Sequence, residues 1–263
     1  MACRASSNTG TQVLSPGQPN STVSDSPHGF RAKLRQSVAL TCDTKNLEWS
    51  IVAAPPLRFR AGQFVSALVQ VNARTEIRPY SIASPPRDDL SFELCINRVK
   101  AGYVSNYLCD LPLDSVVEFK GPYGSFVVTQ PIDRDLVFLA TGTGVAPFRS
   151  MLSDLLAKET AVAHDIWLIF GVRFVEGLLY QKDFESLQRT HPRFHFVPVV
   201  SRPSDEWPGA TGHVQDQLRN LFAGRNDFRA YVCGVKPMVD EVRAILSSKF
   251  GLETDQIRFE KFV

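Results

Sequence analysis

Two hydrophobic rhythms divide the chain. From about residue 31 to residue 130, apolar and polar side chains alternate over short stretches. Leu90, Phe92, Leu94 and Ile96 interleave with Ser91, Glu93 and Cys95, a period of two that predicts a strand with one buried face. Residues 64–71 and 116–119 form further short apolar runs, bounded by Gly62-Gln63 and by Gly121-Pro122-Tyr123-Gly124. Within this half only Gly102 to Leu111 reads as helical. Several short strands with Pro/Gly turns predict a small antiparallel barrel. After Pro131 the rhythm changes. Apolar strands are predicted at 136–140, 166–170, 194–200, 230–233 and 257–259, alternating with helices near 147–158, 179–190, 214–222 and 237–249. Strand–helix alternation predicts a doubly wound parallel sheet covered by helices on both faces. The fold class is therefore all-β followed by α/β.

Composition changes this picture at one end. Residues 1–30 are rich in Ser, Thr, Pro, Gly and Asn and poor in large apolar side chains. Such a stretch cannot bury enough surface to offset its ordering entropy, so a disordered tail is expected there. The barrel is then assigned to residues 31–131 and the α/β unit to residues 132–263. The net charge of +2 gives no case for nucleic-acid binding, and no apolar run is long enough for membrane insertion. The five cysteines, Cys3, Cys42, Cys95, Cys109 and Cys233, match no zinc or iron–sulfur spacing, and their odd number argues against a disulfide framework. A reduced cytoplasmic protein is expected. The five histidines have no metal-ligand spacing, and there is no Gly-x-Ser-x-Gly elbow.

Candidate chemistry sits at the strand ends. Leu136 to Ala140 runs into Thr141-Gly142-Thr143-Gly144, and Pro147 then opens an amphipathic helix through Phe148, Met151, Leu152, Leu155 and Leu156. A strand, a glycine turn and a helix N-terminus together present free N–H groups to a phosphate. Arg78-Pro79-Tyr80-Ser81 offers a guanidinium, an aromatic face and a hydroxyl. Gly102-Tyr103-Val104-Ser105 offers a second helix start.

The order Arg-x-Tyr-Ser, Gly-x-x-Ser, Gly-Pro-x-Gly-x-Phe, Gly-Thr-Gly-x-Ala-Pro and Cys-Gly-x-x-x-Met resembles the ferredoxin–NADP reductase superfamily, over about residues 31–263. It looks most similar to the reductases that feed bacterial oxygenases and deoxysugar dehydratases. The resemblance implies FAD on the barrel and NADH or NADPH on the sheet. Arg78 with Pro79 would pair the flavin pyrophosphate, Tyr80 would stack on the flavin ring, and Ser81 would lie near its N5. Gly102, Val104 and Ser105 would hold the flavin phosphates. Gly142, Thr143, Gly144 and Pro147 would receive the coenzyme, and Cys233 with Gly234 would lie beside the nicotinamide. Phe259-Glu260-Lys261-Phe262 resembles the family's carboxylate-x-aromatic ending, so Glu260 joins Ser81 and Cys233 as a catalytic candidate, with Phe262 near the flavin. Ser201-Arg202 resembles the pair that NADPH-using relatives set against the 2′-phosphate, with Arg173 as a helper. Oxygenase-type relatives that use NADH also have Ser-Arg-Pro here, so use of both coenzymes is expected, with Arg202 deciding the balance.

A flavin between a hydride donor and a one-electron centre resolves the mismatch in electron number. The expected function is an NAD(P)H reductase that passes electrons to a separate acceptor protein, a ferredoxin or another iron–sulfur or oxygenase component. Two rivals stand beside it: a free flavin reductase, and a flavin-carrying regulatory or assembly subunit.

Overall fold

The computed structural model describes residues 28–52, 54–72, 74–157 and 163–262. Among these residues the chain forms two six-stranded sheets, the first antiparallel and the second parallel.

The antiparallel sheet holds β1 (His28–Ala39), β2 (Thr44–Val52), β3 (Phe64–Val71), β4 (Arg74–Ser81), β5 (Ser91–Asn97) and β6 (Val116–Tyr123), in the order β4-β3-β6-β1-β2-β5. A bridge between Ile82 and Leu94, with Ala83 N–H donating to the Glu93 carbonyl at 2.8 Å, joins the two edge strands and gives the sheet its barrel form. Phe30, Leu34, Trp49, Phe92 and Phe119 fill the interior. Helix α1 (Tyr103–Asp110) packs Val104 and Leu108 against the same core.

The sequence places the end of the tail at residue 30. Strand β1 begins at His28, whose backbone pairs with Gly121, so residues 28–30 belong to the barrel. The rest of the expected tail lies outside the described residues. Strand β1 escapes a period-two reading because a bulge between Leu34 and Gln36 breaks its alternation. Strand β5 departs from expectation in another way. Phe92 to Ile96 are buried on both faces, Glu93 included, because the second unit covers the face expected to meet solvent.

The parallel sheet holds β7 (Asp135–Thr141), β8 (Ile166–Val172), β9 (Phe194–Val200), β10 (Ala210–Thr211), β11 (Phe228–Val235) and β12 (Ile257–Phe262), in the order β10-β9-β8-β7-β11-β12. Its helices are α2 (Ala146–Leu156), α3 (Gln181–Thr190), α4 (Val214–Leu221) and α5 (Lys236–Ser248). Strand alternation divides the core between the two faces. Leu136, Phe138 and Ala140 join the cluster of Phe148, Met151 and Phe184 beneath α2 and α3. Val137 and Leu139 join Val214, Leu218, Val239 and Val242 beneath α4 and α5. The strand order reverses between β7 and β11, and the ends of those two strands open the crevice in which ligands bind in such sheets. Helix α3 starts at Gln181, later than the expected Leu179, because Leu178 to Tyr180 are buried ahead of it and Tyr180 is left-handed at φ 55°. No helix among the described residues is long and apolar enough to cross a membrane.

Candidate active site

At the switch point, β7 ends in Thr141 and the chain tightens into a 3₁₀ turn over Gly142–Val145, where the sequence reading expects a plain glycine turn. Gly142 is exposed, Thr143 partly exposed, and Pro147 is buried at the start of α2. The glycines expected to let a ligand approach have another task in part. A Cβ on Gly144 would lie 2.5 Å from the Cys233 carbonyl oxygen, and one on Gly234 (φ 148°) 2.2 Å from Thr141 Oγ1. Gly144 is therefore required for packing of the turn on β11, while Gly142 and Thr143 face the crevice.

That crevice is a cleft of about 1520 Å³. Gly142, Thr143, Arg173, Ser201, Gly234 and Phe262 line it. Ser201 and Arg202 are tied to the end of β8 by backbone bonds to Val172 at 3.0 Å and Arg173 at 2.8 Å. Arg202 itself is exposed and lies outside the lining, so the basic side chain that meets the cleft is that of Arg173. Sequence reasoning missed the opposite wall, formed by the barrel turn from Leu40 to Thr44 with Asn97. That turn is held by Thr41 Oγ1 donating to Asp43 Oδ1 at 2.7 Å. It also missed His213, which caps α4 in a box with Asp216 at the cleft edge. Near that edge, Trp207 and Gly209 have a structural role. A Cβ on Gly209 would strike the Trp207 ring at 2.5 Å, whereas Gly212 and Val214 line the cleft.

The three residues implied as catalytic converge where the sheets meet. Cys233 and Glu260 are register partners on β11 and β12. Ser81, buried at the end of β4, lies near enough to the Glu260 carboxyl across the junction to favour its ionised form. Burial pushes the Glu260 carboxyl up to about 7, with the nearby Ser81 hydroxyl acting against it. Burial, and next the Glu260 charge, raise the Cys233 thiol well above its usual range, so it stays neutral. Cys233 is wholly covered, and Phe262 packs on the core cluster that contains it.

On the barrel, Tyr80 is half-buried, and burial, followed by the neighbouring Cys109 of α1, pushes its hydroxyl up to about 12. Arg78 and Pro79 are exposed, with the Arg78 guanidinium 2.9 Å from Glu76 and donating to the Ile77 carbonyl at 2.9 Å. Helix α1 has no side-chain cap at Gly102. Ser105 is buried, its Oγ accepting from Val99 N–H at 3.1 Å, so its hydroxyl serves the loop, while the first-turn N–H groups of α1 point outward from the cap. Val104 is buried, its side chain in the barrel core. Any Cβ on Gly102 would meet Val99 Cβ at 2.9 Å and Ser105 Oγ at 3.0 Å. An uncapped helix start, an exposed guanidinium and an aromatic face form a set of groups suited to a dinucleotide flavin.

The match to known proteins agrees. The oxidoreductase FAD-binding domain family covers residues 31–128, and the oxidoreductase NAD-binding domain family covers residues 138–244. Ferredoxin–NADP reductase B of Sorangium cellulosum is 32% identical over 239 residues, 89% of this chain and 97% of that protein. The chain belongs to the ferredoxin–NADP reductase family. The reductase component of phenol 2-monooxygenase from a Pseudomonas species is 35% identical over 212 residues, 79% of this chain but 58% of its own length. The crystal structure of an Amycolatopsis cytochrome P450 reductase superposes with a TM-score of 0.81 at 26% identity, covering 91% of this chain and 71% of that one. As a ferredoxin–NADP reductase-type enzyme the chain is an FAD-dependent NAD(P)H oxidoreductase. No cluster of His, Cys, Asp and Glu suited to a metal ion occurs among the described residues.

Proposed function

We propose that this reductase receives NADH or NADPH in the cleft between β7 and β11 and hands electrons from its flavin to a separate protein, a ferredoxin or an oxygenase component. The observation that carries the reading is the meeting of Ser81, Cys233 and Glu260 at the junction of barrel and sheet, beside the cleft. When bound, FAD supplies acceptance of two electrons together and their release one at a time. The chain's own part is positional. Arg78, Tyr80 and the first turn of α1 hold the flavin; Gly142, Thr143, Ser201 and Arg173 hold the coenzyme. Ser81 and Glu260 define the polar edge between them, and the neutral Cys233 keeps a compact, uncharged surface beneath it. Such a site lowers the barrier chiefly by orientation. The relatives named as reductase components support a protein acceptor, and the free cysteines Cys42, Cys95, Cys109 and Cys233 fit a reducing, cytoplasmic setting.

The test is steady-state turnover with ferredoxin or cytochrome c, with and without added free flavin. Turnover that needs no added flavin supports the proposal. Turnover that rises in proportion to free flavin makes the protein a flavin reductase, and bound flavin with no soluble acceptor makes it a carrier subunit. Arg78→Ala is expected to weaken flavin binding by about 1.5–3 kcal/mol, read by equilibrium dialysis.

A further inference from the structure

Packed between the two sheets lies a charged cluster that the site described above does not use. Arg149 sits on the first turn of α2, two residues beyond Pro147, with its side chain 16% exposed. Its Nη1 donates to Glu93 Oε2 at 2.7 Å and to the Ala83 carbonyl at 3.2 Å, and its Nε donates to Asp183 at 2.9 Å. The guanidinium lies 4.4 Å over the Tyr180 ring. Glu93, on β5 with a side chain 9% exposed, also accepts from Arg87 at 2.7 Å and from Asn46 at 2.9 Å. Tyr180 donates its hydroxyl to Asn46 at 2.7 Å. Beside Arg149, Ser150 Oγ donates to the Ser84 carbonyl at 2.6 Å. The segment that follows Ser81 is thus fastened to the helix that follows the Gly142–Val145 turn.

We infer that Arg149 and Glu93 are positioning residues for hydride transfer, whose buried ion pair fixes the register of the coenzyme turn against the Ser81 edge of the barrel. Adhesion between the units does not call for charge. Ala61, Phe126 and Met151 already give the junction a common apolar core. A buried ion pair is a poor source of net stability, since desolvation offsets most of its attraction, but unlike an apolar contact it has one geometry. Burial works against the Glu93 carboxylate; Arg149, Asn46 and Arg87 together outweigh it and keep the group ionised. Tyr180 is held left-handed at φ 55°, a conformation costly for a bulky residue and retained where surrounding contacts dictate it. Desolvation and backbone strain both occur here, on the contacts that set how the two halves meet. The inference rests on the coenzyme-to-flavin reading above. Neither residue touches the reacting groups; they act through Ala83, Ser84 and α2.

The experiment compares wild type with Arg149→Met, Arg149→Lys and Glu93→Gln, the last being isosteric. Stopped-flow reduction by saturating coenzyme gives the limiting rate per bound flavin, and titration gives coenzyme affinity. Hydrogen exchange without any ligand reports residues 82–84 and 142–145. A displacement of about 1 Å at a hydride-transfer site costs up to about a hundredfold, so Arg149→Met is expected to lower the limiting rate at least about tenfold. Coenzyme affinity and flavin content stay near wild type, the long-wavelength absorbance of the coenzyme–flavin complex weakens in parallel, and exchange at both segments quickens. Arg149→Lys, which keeps the charge, recovers most of the rate. A wild-type limiting rate in folded Arg149→Met or Glu93→Gln overturns the inference, as does a loss explained wholly by lost flavin or a lower thermal midpoint. No coenzyme-driven reduction in wild type overturns the function itself, and is told apart because the exchange arm needs neither ligand.

Discussion

Glu260 shows how one residue makes the junction sensitive to pH. Burial pushes its carboxyl up to about 7 in the folded protein, against an ordinary value of 4.5. A raised acid pKa means that the folded state binds more protons than the unfolded chain between those values. Stability is therefore greatest at the acid end of that window and falls as pH rises through 7, by roughly 3 kcal/mol as an upper bound. Glu260→Gln is expected to flatten this dependence and to exceed wild type in thermal midpoint at pH 8 while matching it near pH 4.5; midpoints taken across pH check it. Arg173 and Arg202 divide the coenzyme question at the same scale. Arg173 faces the cleft among Asp43, Glu176, Asp216 and Glu241, whereas Arg202 stands outside it. A charge-assisted contact to a 2′-phosphate is worth about 1.5–3 kcal/mol, a factor of roughly ten to a hundred. Arg173→Ala is expected to raise the KM for NADPH by that factor and to leave NADH nearly unchanged, while Arg202→Ala moves neither. The reverse pattern would restore Arg202 to the role its place in the sequence gives it.

Among elements, the 3₁₀ turn packs closely on β11. A Cβ on Gly144 meets backbone rather than a flexible side chain, so the turn itself must shift. Gly144→Ala is expected to cost about 1–3 kcal/mol as overpacking and to weaken coenzyme binding while leaving flavin content intact; unchanged coenzyme affinity would mean that the turn tolerates displacement. The turn was legible in the sequence because strand, glycines and helix start are contiguous. Strands β3 and β9 were legible to the residue for a similar reason, since a short apolar run bounded by turn residues is a local signal. What stayed hidden is long-range. Glu93 reads as the solvent face of an alternating strand, and only the packing of α2 onto β5 buries it. The Leu40–Thr44 wall of the cleft comes from a barrel hairpin far in sequence from the coenzyme turn. Ser201 lines the cleft and Arg202 does not, because adjacency along the chain does not place both side chains in one cleft.

At the scale of the whole molecule, the question is whether barrel and sheet unfold as one body. Flavin is assigned to barrel residues alone: Arg78, Tyr80 and α1. If the halves were independent, calorimetry would show two transitions, and added flavin would move just the one belonging to the barrel. The junction argues otherwise. Ser81 lies against Glu260, Ser150 bonds Ser84, Arg149 bonds Glu93, and Thr129 N–H donates to the Tyr231 hydroxyl at 2.9 Å, all above an apolar core shared by Ala61, Phe126 and Met151. A ligand that binds only the folded state adds about 2.7 kcal/mol of stability at a concentration a hundred times its Kd. For a chain of this size each 1 kcal/mol raises the midpoint by about 2–4 °C, so flavin is expected to lift the transition by roughly 5–10 °C. Coupling requires that the shift apply to a single transition containing the helices of the parallel sheet as well as the barrel strands. Calorimetry paired with far-ultraviolet circular dichroism, with and without FAD, reads both. A helix signal that melts at an unchanged temperature while the barrel is stabilised would show that the junction orients the halves without binding their stabilities together.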